Sequence, residues 1–152
     1  TTAMSPDVDA TFCGRLALMV DDAAIVVIDR IQTSGISRTE ARMHSYKNVV
    51  FGKNGALIKG EKESARVTYA SLEKAGLFSA VTAPATPTDP SATMIRWCPL
   101  MLHKEAVLVM LITPGRYAAT ASVKRTGKNF AVQITARGVA RTLEVKPSLT
   151  LA

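Results

Sequence analysis

The sequence is poor in the residues from which self-sufficient active sites are assembled. It has only two histidines and two cysteines in 152 residues, and it contains no Walker-type phosphate loop, no dinucleotide glycine fingerprint, no HExxH, no GxSxG and no paired CxxC. A hydrolytic triad would have to use His44 or His103, and neither has a nucleophile in a recognisable strained turn nearby, which argues against an autonomous hydrolase. Asp21, Asp22 and Asp29 do not assemble a cation site, because the first two read as a turn and Asp29 has no second oxygen-rich segment to join. The expectation is therefore no catalytic residue, no metal ligand and no cofactor within this chain.

Long apolar runs are also missing. The longest, Ala23 to Ile28 and Ala106 to Ile112, fall far short of the roughly 20 residues that a spanning helix needs, and both are rich in β-branched side chains. No basic region followed by an apolar stretch opens the chain, so a signal peptide either has been removed or belonged to a longer precursor. The thiols are sparse and badly spaced for a metal. Cys13 and Cys98 each sit in an apolar, strand-like segment, so two buried free thiols are expected, and whether they pair is a question of geometry.

Aromatic residues are scarce at 5%, and Lys and Arg occur in ones and twos, with no run longer than Lys124-Arg125. That combination weighs against nucleic acid, which asks for a basic stripe with stacking platforms. The net charge of +7 nevertheless favours anionic partners by long-range attraction: an acidic polysaccharide, an anionic lipid surface and nucleic acid all fit it, and a basic surface without a dedicated partner fits it better than nucleic acid does.

What the sequence does hold is a succession of short apolar or β-branched runs separated by turn residues. No helical period competes with them, and the length suits one domain with one continuous core. Phe12 to Val20 and Ala24 to Ile31 form a hairpin across Asp21-Asp22. Ser34-Gly35 breaks the chain before a third run, Arg38 to Val50. The turn Gly52-Lys53-Asn54-Gly55 leads to Ala56 to Lys59, then Ser64 to Ala70. Ser71 to Gly76 is either one helical turn or a loop, and Ala83 to Thr93, with three prolines, reads as an exposed loop. Met94 to Cys98, Glu105 to Ile112, Arg116 to Lys124, Asn129 to Ala136 and Arg141 to Lys146 complete roughly ten strands. The fold class is all-β: one antiparallel sandwich of two sheets spanning residues 1–152.

Within Ala41 to Tyr46, strand alternation puts Arg42, His44 and Tyr46 on one face. Arginine pairs with carboxylate or sulfate, histidine and tyrosine hydrogen-bond or exchange protons, and an aromatic ring packs on a pyranose. These three are the candidate substrate-binding residues, set against the plainer reading that they are ordinary outward-facing polar side chains. His103, just before a very apolar run, reads as a loop-end residue. Trp97, flanked by Ile95 and Cys98, reads as core ahead of a sugar platform.

Four segments carry a resemblance: RLALMVDDAAIVVIDRIQ, RTEARMHSYKNVVF, KGEKESARVTYASLE and EAVLVMLITPG, in that order. Together they resemble the C-terminal β-sandwich of the heparinase II/III-like polysaccharide lyases. The resemblance implies a larger, periplasmic or secreted enzyme, in which an N-terminal helical toroid packs on β-sandwich domains and an acidic polysaccharide lies between them. It implies β-elimination at uronate, with the catalytic residues mostly upstream of Thr1. His44 falls where that family tends to have a histidine, read as structural support. The family's metal-site pattern is not matched, since no histidine precedes His44. The expected role is an accessory domain that supports the catalytic module and borders its cleft; the alternative is a free-standing carbohydrate-binding or assembly sandwich.

Overall fold

The alternating run before Asp21 and the one after it zip into the first hairpin. In a computed structural model, which describes residues 9–52, 55–73, 76–84 and 91–152, β1 (Ala10–Val20) pairs antiparallel with β2 (Ala24–Ser37) from Val20 and Ala24 outward. Asp21 and Asp22 both take left-handed backbone, φ 49° and 48°, and the Ala23 amide donates to the Val20 carbonyl at 2.9 Å. Aspartate is among the few non-glycine residues that tolerate this conformation, so the turn falls where the two acids are.

Beyond Gln32 the strand continues through Ser34-Gly35, contrary to the break expected there. The Thr33 hydroxyl donates to the Gly35 carbonyl at 2.8 Å and lies 3.2 Å from the Ser37 hydroxyl, while pairing with the next strand shifts register between Gln32 and Ser37. Local side-chain bonding converts the expected break into a bulge.

The third run divides in two, β3 (Ala41–Ser45) and β4 (Asn48–Gly52), and the halves enter different sheets. Ser45 Oγ accepts the Lys47 amide at 3.1 Å and turns the chain between them. β5 (Gly55–Lys59) and β6 (Ser64–Ser71) follow; Lys53 and Asn54 of the expected turn lie outside the described residues. In Ser71 to Gly76, Leu72 and Glu73 form a bend, with Lys74 and Ala75 outside the described residues.

β7 (Gly76–Pro84) and β8 (Ser91–Pro99) correct the exposed-loop reading of Ala83 to Thr93. Ala83 pairs with Ala92, and Pro84 with Ser91. Pro84 is the last residue of its strand, where a missing donor costs little, and residues 85–90 lie outside the described set. The last four strands are β9 (His103–Pro114), β10 (Ala119–Thr126), β11 (Asn129–Ala136) and β12 (Val139–Val145). His103 opens β9, so it is a strand residue and not the end of a loop. β10 starts after Tyr117 because the Tyr117 amide is held by the Pro114 carbonyl at 3.0 Å.

The all-β antiparallel sandwich is borne out, with twelve strands among the described residues where about ten were expected. They form three sheets: a six-stranded sheet ordered β1-β2-β9-β6-β5-β4, and three-stranded sheets β10-β11-β12 and β3-β8-β7. Alternate residues of the large sheet serve different partners. Val26, Ile28, Val107, Val109 and Leu111 pack with Val123, Phe130, Val132, Ile134 and Val145 of the β10–β12 sheet. Val67, Tyr69, Met110 and Ile112 point the other way and pack with Ile95, Trp97, Ala41 and Met43 of the β3-β8-β7 sheet. The two small sheets therefore cover opposite faces of the large one. Each fully buried valine, leucine or isoleucine contributes about 1.5–3 kcal/mol relative to exposure.

The expectation of two buried thiols is half overturned. Both are free, but Cys13 is exposed, because it sits on the outward alternation of β1 where no sheet covers it; Cys98 is partly buried.

Candidate functional site

The two small sheets are offset along the large one, and each leaves part of the face it packs on uncovered. On one side the β3-β8-β7 sheet stops short of β1 and β2, and a groove of about 340 Å³ remains, lined by Cys13, Arg15, Asp29, Leu108, Glu40 and Arg42. Its floor carries a fork: Arg15 donates from Nε and Nη2 to the two Asp29 oxygens at 2.6 and 2.9 Å. The carboxylate holds the Arg15 guanidinium above its ordinary range, chiefly through this hydrogen bond and then through charge.

Arg42 projects at the rim of this groove from β3 and is ion-paired to Glu40. His44, two residues on, lies on the same face and is exposed. Ala41 and Met43, on the other alternation, pack inward, as the period-two pattern requires. Tyr46 lies beyond the end of β3, in the turn made by Ser45 and Lys47, with 57% of its surface exposed. The structure thus brings Arg42 and His44 onto one face and carries Tyr46 into the following turn.

The same face extends across β8. Arg42 pairs with Arg96 in register, and Arg96 donates to the Ser79 hydroxyl at 3.2 Å. Burial pushes the Cys98 thiol up, while Arg38 and Arg96 pull it back down and Glu40 raises it.

The other candidates resolve differently. Trp97 stacks on Tyr69, centroids 6.2 Å apart and planes 9° from parallel, within the smaller core. The His103 side chain is 9% exposed, with Nδ1 3.6 Å from a Glu73 carboxylate oxygen. Among the described residues no three histidine, cysteine or acidic side chains come together in a way that would hold a metal ion. The Arg15–Asp29 fork was missed by motif reading, yet its signal is present: counting outward from the Asp21-Asp22 turn sets position 15 opposite position 29.

No protein-family model matches the sequence, and neither does any curated protein. Solved structures do match in three dimensions. The chain is similar to a heparinase III at a TM-score of 0.71 and 12% identity, covering 90% of this chain and 27% of that one. A second heparinase III aligns at 0.67 and 11% identity, covering 95% of this chain and 25% of that one. The heparan sulfate lyase HepC of Pedobacter heparinus aligns at 0.62 and 15% identity, covering 98% of this chain and 26% of that one. At these identities the likeness is one of fold, and the chain, which spans about a quarter of the length of each structure, has the β-sandwich fold found within heparinase III-type lyases.

Proposed function

We propose that this chain is the non-catalytic β-sandwich part of a polysaccharide lyase that acts by β-elimination on uronate-containing acidic polysaccharide, supporting the catalytic module and bordering its cleft. The observation that carries this reading is the match of nearly the whole chain to about a quarter of three lyase structures. A segment that aligns end to end with a fraction of a larger enzyme has the size and shape of one of its domains. The partner is then a helical toroid domain of the same parent protein, and the setting periplasmic or secreted.

Arg42, His44 and Tyr46 are the proposed sugar contacts. Arg42 and His44 supply a cation and an imidazole on one accessible face, which suits a carboxylate or sulfate. Glu40 already holds Arg42, so an anionic sugar must compete for that guanidinium, and contact here is weak and salt-sensitive. A supporting role in a composite cleft needs no more.

Isothermal titration of the chain with a panel of acidic oligosaccharides, run beside the absorbance assay for unsaturated uronate, tests this. Saturable binding without cleavage is expected, weakened about tenfold, or about 1.4 kcal/mol, by Arg42→Ala with His44→Ala. Cleavage by the chain alone would place catalysis within it and overturn the accessory reading. Binding that ignores both substitutions would remove the proposed contacts.

A further inference from the structure

A second open groove lies on the opposite face, and its chemistry differs. Here the β10–β12 sheet ends at β10, leaving β5 and β4 uncovered, and a groove of about 310 Å³ is lined by Phe51, Leu57, Arg66, Thr68 and Ala118 among others. Beside it, two turns meet. The β9–β10 turn brings Arg116 and Tyr117, and the β11–β12 turn brings Arg137. The guanidinium carbons of Arg116 and Arg137 stand 5.0 and 4.8 Å from the centroid of the same Tyr117 ring.

Arg137 reaches the ring from a backbone that arginine rarely adopts. Its φ is 52° and that of Gly138 is 75°, in the two-residue turn that closes the Ala136–Val139 pair. Asparagine or glycine would sit there at lower steric cost, so the arginine is explained by what its side chain does. At the same turn, Arg66 donates from Nε to the Tyr117 carbonyl at 3.1 Å and from Nη2 to the Gly115 carbonyl at 3.3 Å. Those bonds fix the turn and hold a third guanidinium beside it. The Tyr117 phenol is lowered from its ordinary range, first by hydrogen bonding with Arg116, then by that cation's charge, with Arg137 acting in the same direction.

Arg15, Arg30, Arg42, Arg125 and Arg141 each hold a carboxylate, Arg30 and Arg125 sharing Glu105. Among the described residues Arg38, Arg66, Arg96 and Arg137 have no carboxylate ion pair, and Arg116 has only the exposed Glu63 at 3.4 Å. Arg66, Arg116 and Arg137 meet at one turn. Two guanidinium groups over one ring, with a third bonded to the carbonyls of the same turn, repel one another, and the ring's quadrupole offsets part of that. A bound anion would offset the rest.

We propose that Arg66, Arg116, Tyr117 and Arg137 form an oxyanion subsite that takes a sulfate or carboxylate of an acidic oligosaccharide, with the sugar ring seated in the adjoining groove. The ligand class rests on the function proposed above; the site rests on the cluster. One aromatic ring with two cations over it and a third at its turn fits a single anionic group next to an apolar sugar face, whereas a nucleic acid strand needs a row of stacking rings.

The test is a titration of the chain with a sulfated uronate oligosaccharide, followed both by heat and by tyrosinate absorbance. A bound anion cancels the nearby cations, so the Tyr117 ionisation step moves to higher pH on saturation. Tyr117→Phe removes that optical step and keeps binding. Arg116→Ala with Arg137→Ala weakens binding at least tenfold and lessens its salt dependence, while Lys128→Ala, a charge lost from another exposed turn, changes neither readout. Binding undiminished in the double variant, or an ionisation step that saturating ligand does not move, overturns the subsite. Affinity lost only in the Arg42 and His44 variants would uphold the earlier face and defeat this one. Tighter binding of single-stranded DNA than of an oligosaccharide of equal charge would overturn the ligand class.

Discussion

Among the described residues Arg30 is the one buried charged residue. Only 8% exposed, it donates to Glu105 at 2.8 Å and to the Pro147 carbonyl at 2.8 Å, with its guanidinium carbon 4.8 Å from the Phe12 ring centroid. Glu105 also holds Arg125. Removing that carboxylate leaves a buried cation uncompensated, so Glu105→Gln should cost about 3 kcal/mol in urea denaturation. An unchanged midpoint would mean that Arg30 is satisfied without it. Tyr69 gives a second test. Burial pushes its phenol above the ordinary range, with Asp29 adding to the shift and Arg15 opposing it. Above about pH 10 the unfolded phenol releases its proton while the folded one keeps it, so the folded state binds more protons and stability falls as pH rises. Tyr69→Phe should flatten the alkaline limb of stability against pH, and a limb of the same slope would assign it to other groups. Little of this was legible beforehand. Residue type alone does not show which charge is buried, and Cys13 was misjudged because an apolar neighbourhood in sequence does not reveal whether a sheet covers that side of the strand.

Individual strands were read more successfully than the connections between them. The alternation in Phe12 to Val20, Ser64 to Ala70 and Asn129 to Ala136 reported real strands because each has one face on a core, the condition under which a period of two is written into the residues. The single run Arg38 to Val50 hid two strands, since the Ser45–Lys47 turn is made by a serine hydroxyl and carries neither glycine nor proline. β7 was missed for the opposite reason: it runs into Pro84 and the proline-bearing stretch that reads as a loop, yet it pairs with β8 along nine residues. The β7–β8 pair also makes a close approach. A Cβ on Gly76 would fall 2.5 Å from the Trp97 ring, so Gly76→Ala must displace the indole from its stack on Tyr69. A loss of about 1–3 kcal/mol is expected, with a changed emission spectrum from the only tryptophan. An unaltered spectrum would show that the strand pair yields instead.

Across the whole molecule the two cores are unequal. Among the described side chains, the β10–β12 sheet sends Val123, Phe130, Val132, Ile134, Ala136 and Val145 into the larger one. The β3-β8-β7 sheet contributes Ile95 as a fully buried member of the smaller, with Ala41, Met43 and Trp97 only partly buried. Opening free energy follows buried apolar contact, so amides of β3 and β8 should exchange through a lower-energy opening than those of β2, β9 and β11. Uniform protection across all five strands in hydrogen exchange would mean a single cooperative unit. The sandwich class was legible from strand spacing, but the split into two small sheets was not, because a strand buried on both faces, as β9 is, looks like a plain apolar run.

That strand separates two evolutionary problems. Leu108, Met110 and Ile112 face the side of the Arg42 groove, while Val107, Val109 and Leu111 anchor the opposite layer. Neighbouring codons therefore drift under different constraints, and a library randomised at 108, 110 and 112 alone could remodel one groove while inheriting the other layer intact.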